Sequence, residues 1–218
     1  MKPNAINVAI LVLTTSIASL GVRADLWPVN SFSATRVEFN KVQPTKEKRS
    51  KVYMDKTGMR EEELDGQKPA HARMTVIVNF ESGKTWLLIP HRKIYVEQPA
   101  ADAPGVTTSD EPGTVLAQSP CEGYAVSEKR GVTKHEERRV EEWHCDAGTK
   151  KVIQLFDPAL QVVVRSEDAK GVVAELRGIQ AGTQPASLFV VPSGFRPASM
   201  REVVTNRVEL PSYRDTEK

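Results

Sequence analysis

The sequence predicts a mainly β protein built on one large, curved antiparallel sheet with one or two short helices. Apolar and polar residues alternate with period two in several stretches, which is typical of half-buried strands. Tight-turn signals separate these stretches at short intervals, which favours antiparallel neighbours. A sheet of about ten strands must cover its apolar face, and a chain with few helices does so most simply by curling.

The N-terminus has the layout of a secretory signal peptide. Lys2 is followed by an apolar stretch over residues 8–20, and small or short residues precede a predicted cleavage near Ala24. The apolar stretch is too short, and too interrupted by Ser and Thr, for a membrane span. We therefore expect residues 1–24 to be removed, and the mature chain to be soluble, periplasmic and without a transmembrane anchor.

Charge balance argues against a nucleic-acid partner. The full chain has 30 Lys and Arg against 28 Asp and Glu. The predicted signal peptide carries two of the basic residues and none of the acidic ones, which leaves 28 of each in the mature chain. Proteins that bind a phosphate backbone normally carry a basic excess.

The first half of the chain predicts a meander of strands. In Arg73–Phe80, Met74, Val76, Val78 and Phe80 fall on one face, and Arg73, Thr75 and Asn79 fall on the other. Short turns then connect two further apolar runs, which makes the three strands antiparallel neighbours. A charged run over 59–64 is interpreted as a solvated edge or outer face. The remaining strands predicted in this half are 35–39, 51–55, 85–89 and 94–96.

Residues 98–120 contain four prolines and no periodicity. This composition predicts a long flexible loop within a single domain over 25–198, followed by a C-terminal tail over 199–218. Whether the loop is a lid or is disordered stays open at this stage.

The second half resumes the strand pattern. Arg130-Gly131 predicts a turn between two strands at 123–129 and 134–145, although the Glu and Arg content of the second also allows a helix. A short helix is expected at 200–206. The further strands predicted are 152–156, 160–164, 172–176 and 188–191.

Cys121 and Cys145 are the two cysteines of the chain, and both lie in the exported part. In an oxidising compartment such a pair is most simply one disulfide. A zinc site that recruits His135 or His144 is the competing interpretation. Adjacent strand residues point to opposite faces, so His144 and Cys145 do not easily share one ion, and the spacing matches no common zinc pattern.

No catalytic constellation is present in the sequence. It contains no phosphate-binding loop, no Gly-x-Ser-x-Gly elbow and no His-Glu-x-x-His, and its carboxylates are scattered over polar faces. We therefore expect a protein that is not an enzyme and that has no catalytic residues, no metal and no cofactor.

Several motifs resemble a known group of exported bacterial proteins. Residues 74–97 carry a Gly turn, Trp-x-Leu-x-Pro and then Lys-x-Tyr, and residues 121–124 read Cys-Glu-Gly-Tyr. Trp143, Asp-Pro-Ala-Leu at 157–160 and Leu-Phe-Val-Val-Pro-Ser-Gly-Phe at 188–195 complete the pattern. The chain resembles domain families of unknown function that are related to the LolA/LolB-like superfamily of periplasmic lipoprotein carriers.

The resemblance implies a half-barrel whose apolar concave face is covered by a helix or loop. It also implies a function, which is non-catalytic binding of a lipid or a lipoprotein acyl chain on that face. The alternative is an interaction or structural module for an envelope protein, through the sheet edge or the charged 134–142 strand. The residues expected to line the concave face are Val76, Val78, Trp86, Leu88, Tyr95 and Phe189.

Overall fold

The computed structural model describes residues 30–64, 66, 72–99 and 115–205. Their strands form one sheet in the order β12-β6-β5-β4-β3-β2-β1-β11-β10-β9-β8-β7. The strands are β1 Phe32–Asn40, β2 Gln43–Asp55, β3 Gly58–Leu64, β4 Ala72–Asn79, β5 Lys84–Ile89, β6 Ile94–Pro99, β7 Val126–His135, β8 Arg138–Asp146, β9 Lys151–Asp157, β10 Val162–Asp168, β11 Val172–Ala181 and β12 Arg196–Pro197. The predicted mainly β class is confirmed.

Strand β1 joins the two halves of the chain. It pairs antiparallel with β2 on one side and with β11 on the other. The strands β1 to β6 form one meander and β7 to β11 form a second. Every neighbouring pair among the described strands is antiparallel except β12 and β6, which are parallel.

The sheet is curved around an apolar cluster. His135 at the end of β7 contacts the carbonyl of Leu176 on β11 at 2.8 Å, although four steps of the strand order separate the two strands. Neighbouring strands lie about 4.8 Å apart, so a flat sheet would hold these strands roughly 19 Å apart. The predicted curved, open sheet is thus confirmed. The buried members of this inner cluster are Phe32, Ala34, Met54, Met59, Val78, Val115, Val140, Leu160, Val162, Val164, Ala174 and Leu176.

Helical structure is sparse in the described residues. Besides two short 3-10 turns, Pro90–Arg92 and Ala186–Phe189, a single α-helix, α1, covers Met200–Thr205. This is where the sequence predicted a helix. None of the described helices has the length and apolarity needed to cross a membrane.

The predicted strand over residues 188–191 is wrong. Its first two residues belong to the 3-10 turn Ala186–Phe189. In this turn the Leu188 N–H donates to the carbonyl of Pro185 at 2.9 Å. The turn places Phe189 in a buried contact with the sheet. An apolar run of four residues therefore acts as a cover on the sheet and not as one of its strands.

The charged run over residues 59–64 forms an interior strand, not an edge. It belongs to β3, which lies between β2 and β4. Its charges are matched locally: Arg60 pairs with Glu62 at 2.7 Å, and Glu61 pairs with Arg36 of β1 at 3.2 Å. Paired in this way, long charged side chains occupy a central strand and cover its neighbours with their aliphatic parts.

The turn predicted at Arg130-Gly131 is also wrong. Strand β7 runs through these residues with a register shift between Lys129 and Gly131, and the chain reverses at residues 136–137. Glu136 adopts a left-handed conformation (φ 51°), and its carboxylate accepts a hydrogen bond from the Gly178 N–H at 3.0 Å. The glycine marks a β-bulge, which glycine also favours. The helical alternative for residues 134–145 is excluded, because the end of β7, the turn at 136–137 and β8 occupy them.

Several predictions fall on residues that the structure does not describe. They include the signal peptide, most of the 98–120 loop and the end of the tail. The last part of that loop is described, and it is held against β10: the Leu116 N–H donates to the Val163 carbonyl at 2.9 Å, and the Val163 N–H donates to the Ala117 carbonyl at 2.8 Å. The proposed domain boundaries remain predictions.

Candidate binding site

The six predicted lining residues lie on two opposite faces of the sheet. Ile77 on β4 is directly opposite Trp86 on β5, and Leu88 on β5 is directly opposite Tyr95 on β6. Since side chains alternate along β4, Val76 and Val78 point the other way. Val76 and Val78 therefore join the inner cluster, whereas Trp86, Leu88 and Tyr95 lie on the outer face.

The outer residues form an aromatic cluster with Phe189. Its buried members are Ile77, Leu88 and Phe189. The partly buried side chains packed against them are Tyr53, Trp86, Tyr95, Leu188 and Phe195. Four of the six predicted lining residues are thus brought together, but in a cluster that is covered by the chain's own 3-10 turn.

Two polar side chains of the sheet hold this cover in place. Arg60 Nη1 donates to the carbonyl of Leu188 at 3.2 Å, and Asn79 Nδ2 donates to the carbonyl of Phe189 at 3.3 Å. Gly58 permits the close approach, because a Cβ at this position would collide with the Val78 carbonyl and lie 3.2 Å from Phe189. These contacts make the cover an integral part of the fold.

Two ionisable groups around the outer cluster, Tyr53 and Glu97, have pKa values that their contacts shift. Burial, with the nearby Glu62 carboxylate, raises the pKa of the Tyr53 phenol above its usual value. The Glu97 carboxylate accepts hydrogen bonds from Lys84 and from Trp86 Nε1, which lower its pKa. Both effects are explained by structural contacts and neither indicates an acid or base poised for catalysis.

The inner cluster is filled by protein side chains. Phe32, Met54 and Val78 are each fully buried. On the same face, Arg36 pairs with Glu61, which also accepts a hydrogen bond from Ser50 Oγ at 2.6 Å. The inner face therefore has a packed apolar region and, beside it, a polar region of ion-paired and hydrogen-bonded side chains.

An open surface lies at the β7–β8 hairpin. Strand β7 is the last strand of the sheet, and eight of its ten residues are exposed. Two of them are large and apolar, Val126 at 59% and Val132 at 49% exposure. A long exposed edge with apolar residues is a surface on which another chain can pair.

An open pocket of about 560 Å³ adjoins the start of this edge. Val126 and Ile153, both substantially exposed, contribute apolar surface to it. Charged residues from β7 to β10 complete the lining, among them Glu128, Lys151 and Asp168. A pocket of this mixed composition suits a polar or amphipathic side chain of a partner better than a buried acyl chain.

Cys121 and Cys145 form the predicted disulfide. They pack with Val152, Tyr124 and Trp143, and the Cys121 N–H donates to Gln154 Oε1 at 2.7 Å. A disulfide is typical of an oxidising compartment, in agreement with export. Since both thiols are bonded to each other, the zinc alternative is excluded for them.

The two histidines that the alternative would have recruited have other roles. His144 Nε2 lies 3.0 Å from Glu142, and His135 is buried against β11. Among the described residues, no group of three or more His, Cys, Asp and Glu is arranged to hold a metal ion.

Sequence reasoning missed the length and exposure of β7. A signal was available in the sequence: Val126 to Lys134 is mostly polar and charged, with Val126 and Val132 as its large apolar residues, and charged side chains are typical of an edge strand. The Arg130-Gly131 pair obscured this signal by resembling a turn, so β7 was predicted to end at Lys129 and its last residues were assigned to the next strand.

The fold defines the class, which is an open half-barrel of antiparallel strands curled around an apolar cluster. No protein-family model matches the chain. No curated protein matches it either. Solved structures do match. The chain is similar to an uncharacterized conserved protein from Thermus thermophilus, with a TM-score of 0.50, 13% identity, and coverage of 81% of this chain and 92% of that chain.

Two further solved structures match the chain. One is the MucA/MucB complex of Pseudomonas aeruginosa, at TM-score 0.50 and 16% identity, covering 78% of this chain and 58% of that chain. The other is a LolA superfamily protein from Nitrosomonas europaea, at TM-score 0.36 and 10% identity, covering 77% and 93%. A LolA superfamily protein is thus among the solved structures that match this chain. At these identities the likeness describes the fold alone.

Proposed function

We propose that this protein is a non-catalytic binding module of the cell envelope that docks a partner protein along strand β7. The observation that carries the proposal is the contrast between the two edges of the sheet. Strand β6 is covered: the Arg196 N–H donates to the Lys93 carbonyl at 3.0 Å, and the Ala198 N–H donates to the Tyr95 carbonyl at 2.8 Å. Strand β7 has no such cover among the described residues.

An exposed edge supports this function through its backbone. Unpaired N–H and C=O groups along an edge accept an added strand, and main-chain hydrogen bonds then supply much of the affinity. The exposed side chains of Val126 and Val132 add apolar surface, one on each face of the strand. The function needs no acid, base or metal, in keeping with the sequence.

The experiment is site-specific photo-cross-linking in living cells, with the probe at Thr133 on β7. The control probe replaces Val42, which is 80% exposed in the β1–β2 turn. We expect a defined higher-mass adduct from Thr133 and none from Val42. Adducts of equal yield from both positions, or none from Thr133, would contradict the proposal.

Lipid or acyl-chain binding is the second candidate, and the curled apolar interior is the observation that favours it. Its difficulty is space, because the buried core side chains already fill the described interior. Native mass spectrometry of protein purified from its own compartment tests it directly. A co-purifying lipid mass would support the carrier function. A protein that shows only its apo mass and takes up no added hydrophobic probe would refute lipid binding.

A further inference from the structure

One face of the β7–β8 hairpin carries a cluster of cations. Lys134 is directly opposite Arg139, Val132 is opposite Glu141, and Lys129 is opposite Trp143. Directly opposed residues share a face, so these six side chains lie side by side. We call this set the basic face of the hairpin.

Two cations of the basic face form no ion pair within the described part of the chain, Lys134 and Arg139. Glu141 is already engaged, because one oxygen pairs with Lys129 Nζ and the other accepts a hydrogen bond from Trp143 Nε1 at 3.2 Å. The pKa of Glu141 is lowered chiefly by its hydrogen bond from Lys129, and the charge of Arg139 is the smallest of the causes that lower it. Like charges directly opposed across strands are destabilising, so this arrangement has a cost that an external anion would relieve.

The opposite face of the hairpin has a different role. His135 and Val140 on that face are buried against the rest of the protein, and Arg138 is paired with the buried Asp157. The inward cation is therefore neutralised by the fold, whereas Lys134 and Arg139 are exposed to solvent.

We infer that the partner segment which pairs with β7 is acidic, with two carboxylates flanking an apolar residue at alternate positions. The same-face order along β7 is Lys134, Val132 and then Lys129 beyond the register shift. An added strand presents every second side chain to that face. The pattern acidic-x-apolar-x-acidic would therefore set one carboxylate near Lys134 and Arg139, an apolar side chain on Val132, and a second carboxylate toward Lys129.

A second copy of this chain fits the edge poorly. Strand β7 contains three basic residues, Lys129, Arg130 and Lys134, and one acidic residue, Glu128. Pairing two such strands would add like charges to the basic face, whereas an acidic segment would neutralise them. The inference rests on the proposed function, since it names the chemistry of the partner at the same edge.

The test is fluorescence anisotropy of the mature protein with a labelled peptide that carries the acidic-x-apolar-x-acidic pattern. The variant K134E/R139E reverses the basic face. The matched control is K56E/K170E, which makes the same charge change at two exposed turns. We expect the hairpin variant to bind at least about tenfold more weakly, and the control to bind like the wild type. A peptide with Lys in place of its acidic residues should bind the reversed variant and not the wild type.

Several outcomes would overturn the inference. Equal losses of peptide affinity in K134E/R139E and in the control would show that the effect comes from net charge alone. Binding of phosphatidylglycerol vesicles without binding of the peptide would assign the basic face to a membrane. If K134E/R139E fails to fold, as judged by circular dichroism, K134Q/R139Q replaces it. A Thr133 adduct in cells without peptide binding would refute the acidic partner while the proposed function stands. Absence of the adduct and of peptide binding would refute the proposed function and the acidic partner together.

Discussion

The imidazole of His135 lies against the backbone of Leu176, with its Nε2 2.8 Å from the carbonyl oxygen. His135 ends β7 and Leu176 belongs to β11, four steps away in the strand order. A flat sheet would separate these strands by roughly 19 Å, so the contact closes the second half of the sheet into a curl. Because a carbonyl only accepts, Nε2 carries the proton in this contact.

Replacement of His135 by Ala should destabilise the protein, because it removes a buried hydrogen bond between the hairpin and β11. We expect the free energy of unfolding to fall by about 1–3 kcal/mol, as measured by urea denaturation. His144→Ala is the control, since His144 is partly exposed and contacts Glu142 on its own strand. Its expected change is within about 0.5 kcal/mol. Equal losses in the two variants would refute the closing role of His135.

Gly58→Ala should be destabilising for a steric reason. The added Cβ would collide with the Val78 carbonyl and press on Phe189. Either β3 or the 3-10 turn must then shift, and forced packing of this kind costs about 1–3 kcal/mol. Thermal unfolding measures the effect. Gly131→Ala is the matched control, because no atom lies within 4 Å of a Cβ there, and its melting temperature should equal or exceed that of the wild type.

The sequence was sufficient for the strands that carry apolar residues at alternate positions on at least one face. Strand β4 does so through Met74, Val76 and Val78, and the structure places it where expected. Strand β3 was not recognised, because Arg60 and Glu62 satisfy each other on its outer face and Glu61 is satisfied by Arg36. Such pairs become visible only when the neighbouring strands are known.

The predicted lining residues were harder to assign to a face of the sheet, because strand β5 is apolar on both faces. Trp86 and Leu88 belong to one face and Leu87 to the other, and the sequence does not say which face is inside. The register Ile77 opposite Trp86 decides it. That register is set by strand pairing across the sheet. A local sequence pattern therefore could not predict that Trp86 and Val78 would lie on opposite faces.

Removal of the disulfide should weaken the fold at the entrance to β7. The double variant Cys121→Ala/Cys145→Ala opens a loop with a sequence separation of 24. In the chain-entropy model this lowers the free energy of unfolding by about 3 kcal/mol. A reducing agent should lower the melting temperature of the wild type to about that of the double variant. It should leave the melting temperature of the double variant unchanged. A wild type that is insensitive to complete reduction would contradict this prediction.

Asp55 should make stability depend on acid pH. Its carboxylate accepts hydrogen bonds from Ser31 Oγ at 2.7 Å and from the Gln184 N–H at 3.1 Å, which ties β1 and the segment after β11 to the β2–β3 turn. Burial alone would raise the pKa of Asp55, but these hydrogen bonds, with those from the Thr57 and Lys56 backbone, hold it below its usual value. The ionised carboxylate is therefore favoured in the folded state.

Because the folded-state pKa of Asp55 is lower than the unfolded-state pKa, the stabilisation is complete above about pH 4 and is lost as the pH falls through the folded-state value. Asp55→Asn should thus lower the melting temperature at pH 7, and the gap to the wild type should narrow steadily below pH ~4. Glu81→Gln, at an exposed turn, should follow the wild type throughout. A gap for Asp55→Asn that stays constant from pH ~7 to ~2 would show that its ionisation is not what secures these three segments.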